Sequence, residues 1–218
     1  MSTLSSNFDI VYERYHTRPF AGQCDVRETE AADTGREVRR LRFKNVDGYE
    51  IPHMMVKRSS NVYGSPSEAF EKSRFRVVRK DCDGLFVVEN ENGLRMNICE
   101  LKTSASVNTI CDAKDQIIGS YVRMNALMSN LKSYPEHVDV VGFIASHGPN
   151  LHTLSMMKDA SDPKTMFYYK LMTKGEYVMP KVKMDGYYNP IKMREIKFYF
   201  VTVPDGAQHH EVDYMQYA

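Results

Sequence analysis

One segment constrains the fold more than any other: residues 138–145, VDVVGFIA, are apolar at nearly every position. A strand with one solvated face alternates apolar and polar residues, so this continuous run predicts a central strand that is covered on both faces. Upstream, apolar side chains recur at steps of four, three, four and three at Ile117, Tyr121, Met124, Met128 and Leu131. That spacing predicts a helix over residues 112–132, with one buried stripe, that crosses over from a strand at 94–102 to the strand at 138–145.

The rest of the chain predicts further strands and shorter helices around this unit. Strands are predicted at 37–44, 49–57, 75–80, 85–89, 94–102 and 195–203, the first two forming a hairpin. A helix with a Ser-Pro-Ser-Glu start is predicted from Ser65 to about Arg74, and another over 163–173. We therefore expect an α/β fold with a mixed central sheet flanked by helices, in one domain over residues 1–218. Residues 1–60 form an N-terminal arm and hairpin in this interpretation, with 1–36 as an extended arm or loop, and 65–145 form the core.

Charge and composition exclude several classes of protein. The 29 Lys and Arg residues nearly balance the 28 Asp and Glu residues, so nucleic-acid binding would depend on local basic patches rather than on net charge. No apolar run approaches the roughly 18 residues of a membrane span, and the first eight residues are neither basic nor apolar, which predicts no membrane and a cytoplasmic location. The cysteines at 24, 82, 99 and 111 lack the spacing of a zinc site and are expected to be reduced.

The stretch most informative about chemistry is 79–104, RKDCDGLFVVENENGLRMNICELKTS. Residues two apart on a strand point to the same face, so Glu100 and Lys102 project together while Leu101 packs on the other side. Asp83 precedes the neighbouring strand, from which its carboxylate can meet Glu100 across the sheet. Two carboxylates completed by water are ligands that Mg²⁺ or Mn²⁺ prefers.

Asp83, Glu100 and Lys102, in this order and on neighbouring strands, resemble the PD-(D/E)xK superfamily of restriction-endonuclease-like nucleases. The likeness extends over about residues 65–145, through the capped helix, three antiparallel strands, the crossover helix and the next buried strand. One departure is Cys82, which stands where the superfamily often has Pro. The resemblance implies a nuclease that hydrolyses phosphodiester bonds of DNA, with RNA as an alternative substrate and a homodimer as the assembly.

Site roles follow from the resemblance. Asp83 and Glu100 would bind Mg²⁺ or Mn²⁺, the carbonyl of Leu101 could add a ligand, and Lys102 would orient or help deprotonate the attacking water. The preceding helix often adds a third acid, for which Glu68 and Glu71 are the candidates, and a capping-box role makes Glu68 the less available of the two. Gln116 on the crossover helix is carried over as a catalytic residue.

Local clusters of basic side chains are candidates for contacts with a nucleic-acid backbone. The candidates are Arg74, Arg76, Arg79, Lys80 and Arg123, the last sharing a helix face with Gln116 and Ser120. Four further cations, Arg39, Arg40, Arg42 and Lys44, lie along the predicted hairpin. No base-reading motif accompanies them, which favours binding through phosphates.

Simpler interpretations of the same residues stay open. Glu100 and Lys102 can form a solvated ion pair, Asp83 before Gly84 suits an ordinary turn, and Gln116 can be a solvated helix residue. A catalytically inactive nuclease-like domain that binds nucleic acid or protein is the main alternative to an enzyme. A domain with a purely structural role, in which the Glu-Leu-Lys triplet is coincidental, is the third.

Overall fold

The computed structural model describes residues 3–12, 16–28, 37–52, 81–90, 93–136, 138–179 and 195–218. The strands are β1 Arg18–Phe20, β2 Gln23–Arg27, β3 Arg40–Lys44, β4 Gly48–Glu50, β5 Gly84–Asn90, β6 Gly93–Lys102, β7 Val138–His147, β8 Glu176–Met179, β9 Ile196–Val203 and β10 His209–Asp213. The helices are α1 Thr3–Val11, α2 Val107–Met128, α3 Leu151–Ser155 and α4 Pro163–Lys174, and a 3₁₀ turn, Tyr214–Gln216, follows β10. The helix predicted at 65–74 and the strand predicted at 75–80 lie outside the described residues.

A mixed sheet of seven strands, in the order β1-β4-β5-β6-β7-β9-β8, forms the centre of the fold. Strands β4, β5 and β6 are antiparallel neighbours, whereas β6, β7 and β9 run parallel. Helix α2 connects β6 to β7, because parallel neighbours need a long crossover connection. The mixed α/β architecture and this crossover unit agree with the prediction from sequence.

The two faces of the large sheet are covered by different structures. Side chains at even positions of β6, β7 and β9 pack with helices α1, α2, α3 and α4 in one hydrophobic cluster. Side chains at odd positions pack with a second sheet of three strands, ordered β10-β3-β2, in a separate cluster. Strand β7 is therefore covered on both faces, as its apolar sequence requires, with helices on one side and a sheet on the other.

The N-cap residue Ser106 determines where helix α2 begins. The Ser106 side chain accepts a hydrogen bond from the Thr109 backbone N–H, which satisfies one of the free donors of the first turn. The helix starts at Val107, five residues before the start at residue 112 that the sequence predicts, and it ends at Met128. The stripe residues Ile117, Tyr121 and Met124 are all buried.

The predicted hairpin of residues 37–57 is wrong, because its two strands belong to different sheets. Strand β3 pairs with β2 and β10, while β4 pairs with β1 and β5. Asn45 adopts a left-handed conformation with φ of 58° and donates its backbone N–H to the Gly22 carbonyl. This corner takes the chain from one sheet to the other instead of returning it along β3.

The expectation of an irregular arm at residues 1–36 is also wrong where the structure describes that segment, at residues 3–12 and 16–28. Helix α1 buries Leu4 and Phe8 against the helical side of the large sheet. Strand β2 packs on β5 so closely that a Cβ at Gly84 would lie 2.8 Å from a methyl carbon of Val26. The N-terminal segment is thus part of the core.

All four cysteines are buried and have free thiols. Burial raises the pKa of the Cys82 thiol to about 12, so it stays protonated and unreactive at neutral pH. Among the helices of the described ranges, none combines the length and the hydropathy that a membrane span needs.

Candidate functional site

The structure brings Asp83, Glu100 and Lys102 together at one end of the β5–β6 pair. Asp83 lies one residue before the Gly84–Cys99 register pair, and its backbone N–H donates to the Cys99 carbonyl at 3.0 Å. Its carboxylate Oδ2 accepts the Leu101 backbone N–H at 2.7 Å. This bond fixes the Asp83 side chain against the strand segment that carries Glu100.

Glu100 and Lys102 share the helical face of β6, whereas Leu101 packs in the cluster on the opposite face. The Lys102 ammonium donates to Glu100 Oε1. The Glu100 side chain is 1% exposed and that of Lys102 is 19% exposed, so this is a buried ion pair rather than a solvated one. A buried pair restricts both side chains, because a charge separated from its partner there costs several kcal/mol.

Negative charge accumulates around Asp83. Burial raises the pKa of the Asp83 carboxyl well above its ordinary value, and the nearby carboxylates of Glu100 and Glu28 raise it further. Glu28 also forms a hydrogen bond with the Asp83 side chain. Negative charge is therefore unfavourable at Asp83, and a bound cation would offset it.

Helix α2 holds the segment that leads into Asp83. The Gln116 amide donates to the Asp81 carbonyl at 2.8 Å, and the Ser120 hydroxyl accepts the Cys82 backbone N–H at 3.0 Å. The Arg123 guanidinium lies 2.7 Å from the Asp81 carboxylate. We refer to residues 81–83 together with these three contacts as the clamped segment.

The clamped segment corrects the expectation that Arg123 contacts phosphate. The Arg123 side chain is 2% exposed and forms an ion pair inside the protein, so a phosphate cannot reach it. Ser120 is fully buried as well. Gln116 is only partly buried, and the contact that the structure shows for its amide is with backbone rather than with Glu100.

The remaining basic candidates divide into two groups. Arg42 and Lys44 form ion pairs within the small sheet, Arg42 with Asp25 and Glu211 and Lys44 with Glu211. They neutralise acids of neighbouring strands. Arg39, just before β3, and Arg40, its first residue, are partly buried. The candidates for the third acid, Glu68 and Glu71, and the basic candidates Arg74, Arg76, Arg79 and Lys80 lie outside the described residues.

The donors around Asp83 determine whether a divalent cation fits this site. In the ranges that the structure describes, no three His, Cys, Asp or Glu side chains are arranged to hold a metal ion by themselves. Asp83 and Glu100 would supply two carboxylates, which leaves the other ligands to backbone carbonyls and water, an arrangement typical of Mg²⁺. The buried carboxylates fit a cation because its charge would compensate the burial and the repulsion that raise the Asp83 pKa.

Sequence reasoning missed Glu28. It follows β2, and its backbone N–H donates to the Arg39 carbonyl at 3.0 Å, which places it at the end of the small sheet beside Asp83. In the sequence, Glu28 lies in the segment 1–36 that is expected to be an extended arm or loop. Its proximity depends on how the small sheet packs, for which the local sequence has no signal.

Comparisons with known proteins identify no relative of this chain. No protein-family model matches the chain, and neither a search of curated proteins nor one of solved structures finds a match. The likeness to the PD-(D/E)xK nucleases therefore rests on Asp83, Glu100 and Lys102 and on the order of elements around them.

Proposed function

We propose that the chain is a divalent-metal-dependent nuclease with a restriction-endonuclease-like fold, which hydrolyses phosphodiester bonds of DNA. One observation carries the proposal: Asp83 and Glu100 approach each other from paired neighbouring strands, and Lys102 forms an ion pair with Glu100 on the same face. The order of β4, β5, β6, α2 and β7 supports the fold assignment.

The protein would contribute charge and positioning to the reaction. Asp83 and Glu100 would hold Mg²⁺ or Mn²⁺, with the Leu101 carbonyl as a further ligand. When bound, such an ion lowers the pKa of a coordinated water from about 15.7 toward 7 and polarises a phosphoryl oxygen. The Leu101 N–H holds the Asp83 carboxylate in place, so the acid does not have to be ordered when substrate binds.

Lys102 has two tasks in this proposal. In the free protein its ammonium forms an ion pair with Glu100, which offsets the cost of burying that carboxylate. With substrate present, the ammonium would orient the attacking water and stabilise the negative charge that develops on the phosphoryl oxygens. Gln116, Ser120 and Arg123 are positioning residues, because their contacts end on residues 81 and 82 rather than on a reacting atom.

The test is incubation of supercoiled plasmid, single-stranded DNA and RNA with the purified protein in Mn²⁺. Cleavage is expected for the wild type and is expected to fall at least 100-fold in Lys102→Ala and in Asp83→Asn, since each removes a charge from the reacting centre. The matched control is Lys197→Ala, which removes another lysine that is ion-paired with a glutamate, Glu176, at a partly exposed position on β9.

The outcomes separate the candidate functions. Equal activity in all variants would assign the cleavage to a contaminant and refute the proposal. Binding of DNA without cleavage by the wild type would favour the inactive nucleic-acid-binding domain. Cleavage of RNA alone would keep the chemistry and overturn the assignment of the substrate.

A further inference from the structure

A cavity of about 410 Å³ opens between the β1–β4–β5 edge of the large sheet and strand β2 of the small sheet. Asp83 contributes to its lining, together with Arg18, Phe20, Arg27 and Glu50. Its volume lies within the roughly 300–1,000 Å³ of sites that bind small ligands. A group held in this cavity would therefore contact Asp83, whereas Glu100 and Lys102 are not among its lining residues.

The lining combines three kinds of chemistry. The side chains of Arg18 and Arg27 are exposed, and both attract the Glu50 carboxylate. Arg18 is the register partner of Glu50 across the β1–β4 pair. Phe20 provides an aromatic surface, and its ring is held edge-on against Phe86 with the centroids 5.9 Å apart. Cations at the rim, a carboxylate acceptor and an aromatic ring are the groups that bind the phosphate, the amino edge and the face of a nucleotide.

The carboxylates that line the cavity do not prevent a phosphate from binding there. Asp25, which also lines it, accepts two hydrogen bonds from Arg42, at 2.6 and 3.0 Å, and one from Arg27 at 3.1 Å. Because Arg42 holds the Asp25 carboxylate with two hydrogen bonds, Arg27 can turn toward a phosphate while Asp25 keeps an ion pair. Glu50 is half-buried between the two sheets, where it suits a base amino group rather than a second anion.

We propose that this cavity receives one unpaired nucleotide of the substrate, next to the scissile phosphate, and that the nuclease acts on single-stranded DNA. The inference rests on the proposed function. A base inside a duplex is stacked and paired and cannot enter a cavity between two sheets unless it is first extruded, at a cost of a few kcal/mol. A single strand presents its bases at no such cost.

The test measures binding rather than cleavage. Ca²⁺ replaces Mn²⁺, and fluorescence anisotropy reports the affinity for a labelled eight-nucleotide single strand and for the blunt duplex of the same sequence. We expect the single strand to bind at least 10-fold more tightly. In the double variant Arg18→Ala/Arg27→Ala, the negative slope of the logarithm of the association constant against log salt concentration should become shallower by about 1.4. Each phosphate contact of a single strand contributes about 0.7 to the steepness of this slope.

The matched control is Lys170→Ala/Lys174→Ala, which removes two exposed cations from α4, on the far side of the large sheet. The slope should stay at its wild-type value in this variant, and thermal melting checks that both double variants are folded. Equal affinity for single strand and duplex would overturn the inference, and so would the same loss of slope in both variants.

The two proposals fail in different ways. Cavity-dependent binding of single strands without hydrolysis in Mn²⁺ would refute the nuclease and leave the nucleotide site standing. Hydrolysis that requires Lys102 but shows no preference for single strands would keep the nuclease and refute the nucleotide site.

Discussion

Replacement of Asp83 by asparagine separates the charge of this residue from its structural contact. The Leu101 N–H donates to a side-chain oxygen of Asp83 at 2.7 Å, and the amide oxygen of asparagine can accept the same bond. The variant replaces a carboxyl group, whose charged form is disfavoured by burial and by the carboxylates of Glu100 and Glu28, with a neutral amide. We therefore expect Asp83→Asn without divalent cations to be at least as stable as the wild type.

The response to Mn²⁺ should be opposite. A cation at 100 times its dissociation constant stabilises the folded protein by about 2.7 kcal/mol. For a chain of 218 residues this corresponds to a rise in Tm of about 5–11 °C. Asp83→Asn should show no such rise, because one of the two carboxylates that would hold the ion is gone.

Differential scanning fluorimetry over a Mn²⁺ titration measures both effects. The matched control is Asp139→Asn, which neutralises an exposed carboxylate on β7 and should keep the full wild-type rise. A Mn²⁺-dependent rise that persists in Asp83→Asn would refute the assignment of the cation to this site. The absence of any rise in the wild type would refute the metal site altogether.

Three further predictions concern stability. Arg123→Met leaves the Asp81 carboxylate without its buried guanidinium partner and should lower the free energy of unfolding in urea by about 3 kcal/mol; a change below 1 kcal/mol would show that the ion pair is dispensable. Gly84→Ala places a methyl group 2.8 Å from a Val26 methyl carbon and should lower the free energy of unfolding by about 1–3 kcal/mol. Adding Val26→Ala should restore part of this free energy; if it does not, the strain arises at another contact. The Arg42 guanidinium on β3 lowers the pKa of Asp25 below its ordinary value of about 3.9. The Asp25 carboxylate therefore stabilises the fold above that pH, and this contribution is lost as pH falls through the lower, folded-state pKa. Asp25→Asn should therefore be less stable than the wild type at pH 7, and the two unfolding curves should converge toward pH 2; a constant difference across this range would contradict the assignment.

The part of the fold that could be predicted from sequence is the part in which neighbouring elements are consecutive. Strand β6, helix α2 and strand β7 follow one another, each has a strong apolar pattern, and parallel pairing through a crossover helix leaves few alternatives. The approach of Asp83 to Glu100 was predictable for the same reason, since β5 and β6 are joined by a short turn and their register follows from it.

The small sheet could not be predicted because its pairings are remote along the chain. Strand β10 pairs in parallel with β3, with His209 opposite Arg40, and β2 has only two buried apolar residues, Cys24 and Val26. Sequence reasoning therefore assigned Glu28 to an irregular arm and joined β3 to β4 as a hairpin. The burial of Arg123 was missed for a similar reason: helical spacing shows which residues share a face, but not that the face packs against Asp81.

The small sheet joins strands from near both ends of the chain, and only its packed arrangement brings Glu28 to the acids of β5 and β6. A cation bound there would hold the small sheet, whose strands come from near both ends of the chain, against strands β5 and β6 from the middle of the chain. Proteolytic removal of the segment that carries β10 would then weaken cation affinity from a distance, although it takes away none of the ligands.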